Sequence, residues 1–402
     1  MKRVKLQDIT LNITDGKHGD CDPQANSGFY FISCKDVYDG NIHYEGARQI
    51  TESAYFDTHK RTMLQPNDIL VTNSGTIGRM ALVKDIPETY RTTFQKSVAI
   101  VKPNQEIVRP DYLYYSLLNC VTQFSNSSNG SAQRNLLLGT MRQFDIFIEE
   151  KKSKQEKIAK VLRTYDDLIE NNQIQIKLLE EAAQRLYKEW FVDLCFPGHE
   201  DVAIVDGVPE GWKKQRIYEF GDIITGKTPS TDKEQYYGGN IPFVKIPDMH
   251  GCVYPITTEV TLTTEGANTQ RNKFIPKNGI MVSCIATVGL VNIAIEHCQT
   301  NQQINSIILN NEQDLYYVYS TMKRLKALLE GVGSNGATMT NVNKTKFGNL
   351  EVLYPTEDLR KSYFNFCEPI FKKIYSLSVS NNKLVQARDR LLPKLMSGEI
   401  EV

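Results

Sequence analysis

The chain has 402 residues, 41% of them hydrophobic and 23% charged, with 47 basic against 47 acidic side chains and a formal net charge of zero. That length exceeds one compact core and predicts two domains or more, in a composition ordinary for a globular protein. The balanced charge argues against a general nucleic-acid binder, though not against one whose basic residues gather on a single face.

No apolar run approaches the length that spans a bilayer, and no apolar core follows the basic residues Lys2 and Arg3, so neither a membrane segment nor a signal peptide is expected. The eight cysteines are scattered without a CxxC pair, which predicts reduced thiols and a cytoplasmic protein.

Taken in order, residues 1–150 read as a mixed α/β domain. Phe29–Ser33, Asp68–Thr72 and Lys96–Val101 have strand composition, Asp39-Gly40 and Pro66-Asn67 mark turns, and Asp111–Asn119 predicts a short helix starting near Pro110. A polar loop, Ser125–Ser131, precedes a last strand, Phe144–Ile148. A long helix over residues 151–192 follows. In it Ile158, Leu162, Tyr165, Ile169, Asn172, Ile176, Leu179, Ala183, Leu186 and Trp190 recur in alternating steps of four and three, a coiled-coil seam that needs a partner helix.

Pro197-Gly198 breaks the pattern, a linker covers 193–208, and then the same features return over 209–355. Phe220–Ile224 matches Leu6–Ile9, Ile241–Ile246 matches Phe29–Ser33, and residues 275–294 match 64–83. Gln302-Gln303 answers Gln95 ahead of the strand Ile304–Leu309, Tyr316–Lys323 repeats the short helix, and 331–336 repeats the polar loop. A second long helix occupies 356–402. Its seam is Ile370, Ile374, Leu377, Asn381, Leu384, Leu391 and Leu395, again with an asparagine on it. The expected fold is therefore α/β: two similar mixed α/β domains and two long antiparallel coiled-coil helices, in a pseudo-two-fold tandem repeat. Antiparallel packing of a seam about 50 Å long would hold the domains apart, and one turn of B-DNA is about 34–36 Å. The helices would act as a ruler between two sites on one ligand.

The helix beginning KKSKQEKIAKVL, the WFVDLCFPG exit, the VPEGWK re-entry, the ITGKTPS and YYGGNIPFVKIPDM runs and the terminal RDRLLPKLMSGEI resemble the specificity subunit of type I restriction-modification systems. The likeness covers nearly the whole chain, although ITDGKHGD stands in the first half where ITGKTPS stands in the second. It implies two target-recognition domains, each reading one half of a bipartite asymmetric double-stranded DNA target across a gap set by the coiled coil. It also implies two methyltransferase subunits that methylate adenine at N6, and restriction subunits that translocate and cleave DNA. This chain would bind no cofactor; the partners imply S-adenosylmethionine, ATP and Mg.

The residues agree that no catalytic centre or metal site is to be expected. No phosphate-binding G-x-x-x-x-G-K-[ST], G-x-S-x-G or H-E-x-x-H run occurs, nor the Asn/Asp-Pro-Pro-aromatic run of adenine methyltransferases, and the six histidines are dispersed.

Major-groove readout needs paired donors and acceptors. In the first domain the candidates are Lys17, His18, Asn73 and Ser74, with Arg79 and Lys96 for phosphate and the cluster Ser131, Gln133, Arg134 and Asn135. By repeat correspondence the second domain offers Lys227, Thr228, Lys245, Thr287, Gln302 and Gln303, then Ser334, Asn335, Thr338, Asn341, Asn343 and Lys344. Such residues also fill ordinary solvent loops. Tyr187, Trp190 and Phe191 are candidate anchors for a partner subunit, or alternatively plugs at the junction with the second domain. A coiled-coil scaffold that binds protein through its paired domains is the competing reading.

Overall fold

The computed structural model describes residues 1–126, 135–333 and 341–402. The chain forms two compact units, one of residues 1–168 with 384–402 and the other of residues 169–383.

In the first unit, a two-residue hairpin at 37–42 aside, the strands are β1 (Lys2–Lys5), β2 (Thr10–Asp15), β3 (Tyr30–Ile32), β4 (Ile69–Thr72), β5 (Met80–Leu82), β6 (Thr92–Phe94), β7 (Val98–Pro103) and β8 (Asp145–Ile148). The longer helices are α1 (Glu52–Thr62) and α2 (Pro110–Leu118), and α3 (Lys152–Phe191) begins here. The centre is an antiparallel sheet of order β2-β7-β4-β5. β3 and β6 pair in parallel beside it, and β1 pairs antiparallel with β8.

Strand alternation sends Ile69, Val71, Ala99 and Val101 to one face and Leu70, Val98 and Ile100 to the other. Both faces are buried, which is why these strands read as unbroken apolar runs. The start of α3 and the last residues of the chain close the larger core: Ile158, Ala159 and Leu162, with Leu395 and Met396.

The second unit repeats this plan. After a two-residue hairpin at 204–209, its strands are β9 (Lys213–Arg216), β10 (Gly221–Thr225), β11 (Tyr237–Val244), β12 (Val260–Leu262), β13 (Ile280–Ser283), β14 (Val291–Ile293), β15 (Gln299–Thr300), β16 (Ile304–Leu309) and β17 (Glu351–Tyr354). They are joined by α4 (Leu315–Arg324) and followed by α5 (Glu357–Ser397). The sheet β10-β16-β13-β14 matches β2-β7-β4-β5, the parallel pair β11 and β15 matches β3 and β6, and β9 pairs with β17 as β1 does with β8.

The expected pairing of Phe29–Ser33 with Ile241–Ile246 holds over Ile241–Lys245: Ser33 N and Lys245 N each donate to an aspartate three residues on, Asp36 or Asp248, at 2.8 Å. Two expected matches shift. Leu6–Ile9 is a 3-10 turn whose counterpart is Ile217–Phe220, since Leu6 N donates to Phe144 O and Ile217 N to Leu350 O. The recurring Asp-Ile dipeptide had drawn the sequence match out of register. Similarly, Gln95 N donates to Ile32 O at 2.9 Å and Asn301 N to Val244 O at 3.3 Å. Gln95 is therefore answered by Asn301, which makes Lys96 the counterpart of Gln302 and Ser97 that of Gln303.

The long helices pair antiparallel within the second unit, where Asn172 meets Asn381 and the Tyr363 hydroxyl donates to Ala183 O. In the first unit Arg388 pairs with Asp166 at 2.6 Å. Helix α3 carries a second buried stripe outside its seam. Gln155 is fully buried, accepting from Arg109 N at 2.9 Å and donating to Glu149 O at 2.7 Å, and Tyr187 and Phe191 face the core of the second unit.

Candidate nucleic-acid interface

Antiparallel order dictates where the predicted polar residues fall. β2 and β4 end, and β7 and β5 begin, at the same end of the first sheet, so Lys17, His18, Asn73, Ser74, Arg79 and Lys96 share that end. Asn135 joins them through an isolated bridge to Ser74. In the second unit Lys227, Thr228, Thr287, Gln302 and Gln303 share the corresponding end, and Asn341 bridges Ile285 in the same way. Ser131, Gln133, Arg134, Ser334, Asn335 and Thr338 lie outside the described residues.

The backbone frame of the two ends is common. Lys17 N donates to Phe94 O at 2.8 Å, and Lys227 N to Thr300 O at 2.9 Å. The preceding glycines, Gly16 and Gly226, are required by this approach: a Cβ would meet Phe94 O at 2.0 Å or Asn301 O at 2.2 Å.

The β4–β5 and β13–β14 turns are wired alike. Thr72 Oγ1 accepts from Arg79 N at 2.9 Å, and Ser283 Oγ from Leu290 N at 2.8 Å. Gly78 N and Gly289 N return to Thr72 O and Ser283 O, both at 2.9 Å, with φ of 89° and 85°. Asn73 O accepts from Leu136 N at 2.8 Å and Cys284 O from Val342 N at 2.9 Å, which seats the neighbouring loop in each unit. These clamps escaped the sequence reading; the recurrent Gly-Lys and the hydroxyl six residues before each glycine were the available signal.

On this common frame the side chains differ. The first end is cationic, with exposed Arg79 and Lys96 and half-buried Lys17, whose ammonium lies 3.9 Å from Asp57. His18 stands 3.4 Å from buried Asp15, which also pairs with Arg61. The second end presents exposed Lys227, but Leu290 replaces Arg79 and Gln302 replaces Lys96. Thr228 Oγ1 donates to Gln302 Oε1 at 2.8 Å, and Asn301 Nδ2 to Gln303 Oε1 at 2.9 Å. Lys227 O accepts at 2.6 Å from Gln270, whose amide also reaches buried Gln299 at 2.8 Å. Burial pushes the Cys284 thiol up to about 11, so the second turn holds a neutral group where Asn73 stands in the first.

Three candidates have local roles. Asn343 caps residues 344–348 by accepting from Lys346 N at 2.9 Å, Lys344 O accepts from Tyr218 at 3.4 Å, and Lys245 pairs with Glu259 at 3.2 Å. Of the two readings of Tyr187, Trp190 and Phe191, partner anchor or plug, the packing of Tyr187 and Phe191 matches the plug. Both are buried, at 6% and 5% exposure, in an aromatic cluster with Tyr317 and Tyr363, and Trp190 packs on its margin. They sit where the plug reading puts them, in the core of the second unit.

Among the described residues no cluster of His, Cys, Asp or Glu could hold a metal ion, and no helix is long and apolar enough to cross a membrane.

The family model described as "Type I restriction modification DNA specificity domain" matches residues 2–181 and 209–381. The type I restriction enzyme HindI specificity subunit of Haemophilus influenzae is 32% identical, over 99% of both chains. The MjaIX specificity subunit of Methanocaldococcus jannaschii is 27% identical, over 92% of this chain and 87% of that one. A type I restriction-modification S subunit from M. genitalium shares the fold, with a TM-score of 0.56 and 13% identity over 98% of this chain and 95% of that chain. The chain belongs to the type I restriction-modification DNA specificity family.

Proposed function

We propose that this chain selects the DNA target of a type I restriction-modification complex, each α/β domain reading one half of a bipartite site with the sheet end described above. The observation that carries the reading is the repeated frame: two sheet ends with the same hydrogen-bonded backbone and different polar side chains suit two different short sequences. Family membership supports this over a protein-binding scaffold.

In this reading the long helices set the unread gap and two adenine-N6 methyltransferase subunits dock on them, with restriction subunits joining the assembly in the cytoplasm. S-adenosylmethionine, ATP and Mg belong to those partners. Exposed Ile174 and Leu178, one turn apart on α3 outside the seam, support a docked partner there better than the buried aromatics do.

The test is selection of bound duplexes from a randomised pool by the full chain assembled with methyltransferase subunits, across a salt series. Two enriched blocks at fixed spacing are expected, with affinity falling steeply in salt. Inserting seven residues in both helices should lengthen the gap and leave both blocks unchanged. No enrichment in any assembly would remove the reading.

A further inference from the structure

Gln302 and Lys96 occupy one structural position in the two units. Each follows the residue that bonds back to the parallel strand, Asn301 to Val244 or Gln95 to Ile32, and each precedes the residue whose carbonyl holds the neighbouring turn. Those last bonds run from Cys284 N to Gln303 O at 2.8 Å and from Asn73 N to Ser97 O at 3.0 Å. The main chain on both sides is thus pinned, and the side chain is exposed at the sheet end.

What differs is the head group and its support. Lysine offers donors only, whereas a carboxamide offers one acceptor and a pair of donors on one plane. The Gln302 amide is also oriented. Thr228 Oγ1 spends its proton on Gln302 Oε1 at 2.8 Å, which fixes the amide plane and leaves Oε1 a second lone pair and Nε2 two hydrogens. A fixed acceptor beside a fixed donor is the complement of adenine N6 and N7 in the major groove, and an ammonium is the complement of guanine O6 and N7.

We infer that Gln302, oriented by Thr228, reads an A·T pair in the half-site of the second domain, and that Lys96 at the equivalent position reads a G·C pair in that of the first. The inference rests on the reading of the chain as a DNA specificity subunit. Thr228 is a positioning residue: it touches the amide and not the base. Lys227, next to it, has its carbonyl held by Gln270, so the whole corner meets DNA already ordered and loses little on binding.

The experiment is selection from a duplex pool randomised in both blocks, by the full chain with its methyltransferase subunits, scored by binding. The wild type should prefer A·T over G·C roughly ten- to hundred-fold at one position of the second block. Gln302→Lys should move that position to G·C and leave the first block unchanged. Gln302→Glu, nearly isosteric, should shift it toward a cytosine whose N4 donates to the carboxylate, and serves if the lysine variant misfolds. Thr228→Val should keep the A·T preference while weakening the discrimination several-fold. An unchanged second block in both Gln302 variants, or uniform weakening across all sequences, overturns the inference while the parent reading stands. Absence of any enriched block with the wild type overturns both.

Discussion

Asn172 donates its side-chain amide to the side-chain carbonyl of Asn381 at 2.8 Å inside the helical seam, and Asn381 in turn donates to Ile169 O at 3.2 Å. A seam asparagine satisfied by its opposite number defines one register, because a slip of either helix separates the pair. Replacing Asn172 alone by leucine should cost about 1–2 kcal/mol, since the Asn381 carbonyl loses its donor. Replacing both by leucine should raise the denaturation midpoint above wild type while broadening the gap lengths chosen in DNA selection. A double variant less stable than the single one would contradict this account.

A second polar lock occupies the seam position that the sequence skips between Leu384 and Leu391. Arg388 pairs with one oxygen of Asp166 at 2.6 Å, and the Tyr115 hydroxyl donates to the other at 2.5 Å. Burial, and then Asp166, push the Tyr115 hydroxyl far above its usual range, so it stays a donor. With 24% and 28% of the two charged side chains exposed, Arg388→Met should cost about 1–3 kcal/mol, and adding Asp166→Asn should recover much of it. Urea unfolding of the single and double variants measures the coupling.

Tyr187 and Phe191 are core residues, and Tyr187 shares a 2.8 Å hydrogen bond with Thr321. Phe191→Ala should destabilise the second unit by about 3–5 kcal/mol. Loss of partner assembly in this variant should track loss of folded protein in thermal melts. A variant that stays as stable as wild type yet fails to assemble would favour the anchor reading.

Thr72 accepts from Arg79 N and also donates to Thr76 O at 2.5 Å. Thr72→Val keeps the shape but leaves both groups unpaired, at about 1–3 kcal/mol. It should relax base preference in one half-site only, and Ser283→Ala should relax the other. Sequencing of selected duplexes separates the two effects, and relaxation of both blocks by either variant would argue against independent reading.

The helices and the tandem repeat were legible because they rest on periodicity, which survives divergence of individual residues. What failed was register inside the repeat. Gln95 looks like Gln302 or Gln303, but only the bond to the parallel strand shows that Asn301 is its counterpart. The sequence left Tyr187 and Phe191 open between anchor and plug for a related reason. They follow Leu186 and Trp190 by one residue, on a stripe facing the second unit's core, and seam spacing says nothing about that stripe. Which loop side chains are pinned by local bonds, such as Asn343 in its cap, depends on geometry that composition does not carry.

The first compact unit takes its last piece, residues 384–402, from beyond the whole of the second. Leu395 and Met396 are nearly fully buried in its core, and Met396 Sδ accepts from Ser116 there. On the ribosome, residues 169–383 must be made in between, a delay of about 10 to 40 s at roughly 5–20 residues per second. During that interval the amino-terminal domain waits with an open apolar face. A message truncated before residue 384 would leave the second unit whole and the first without the piece that closes its core.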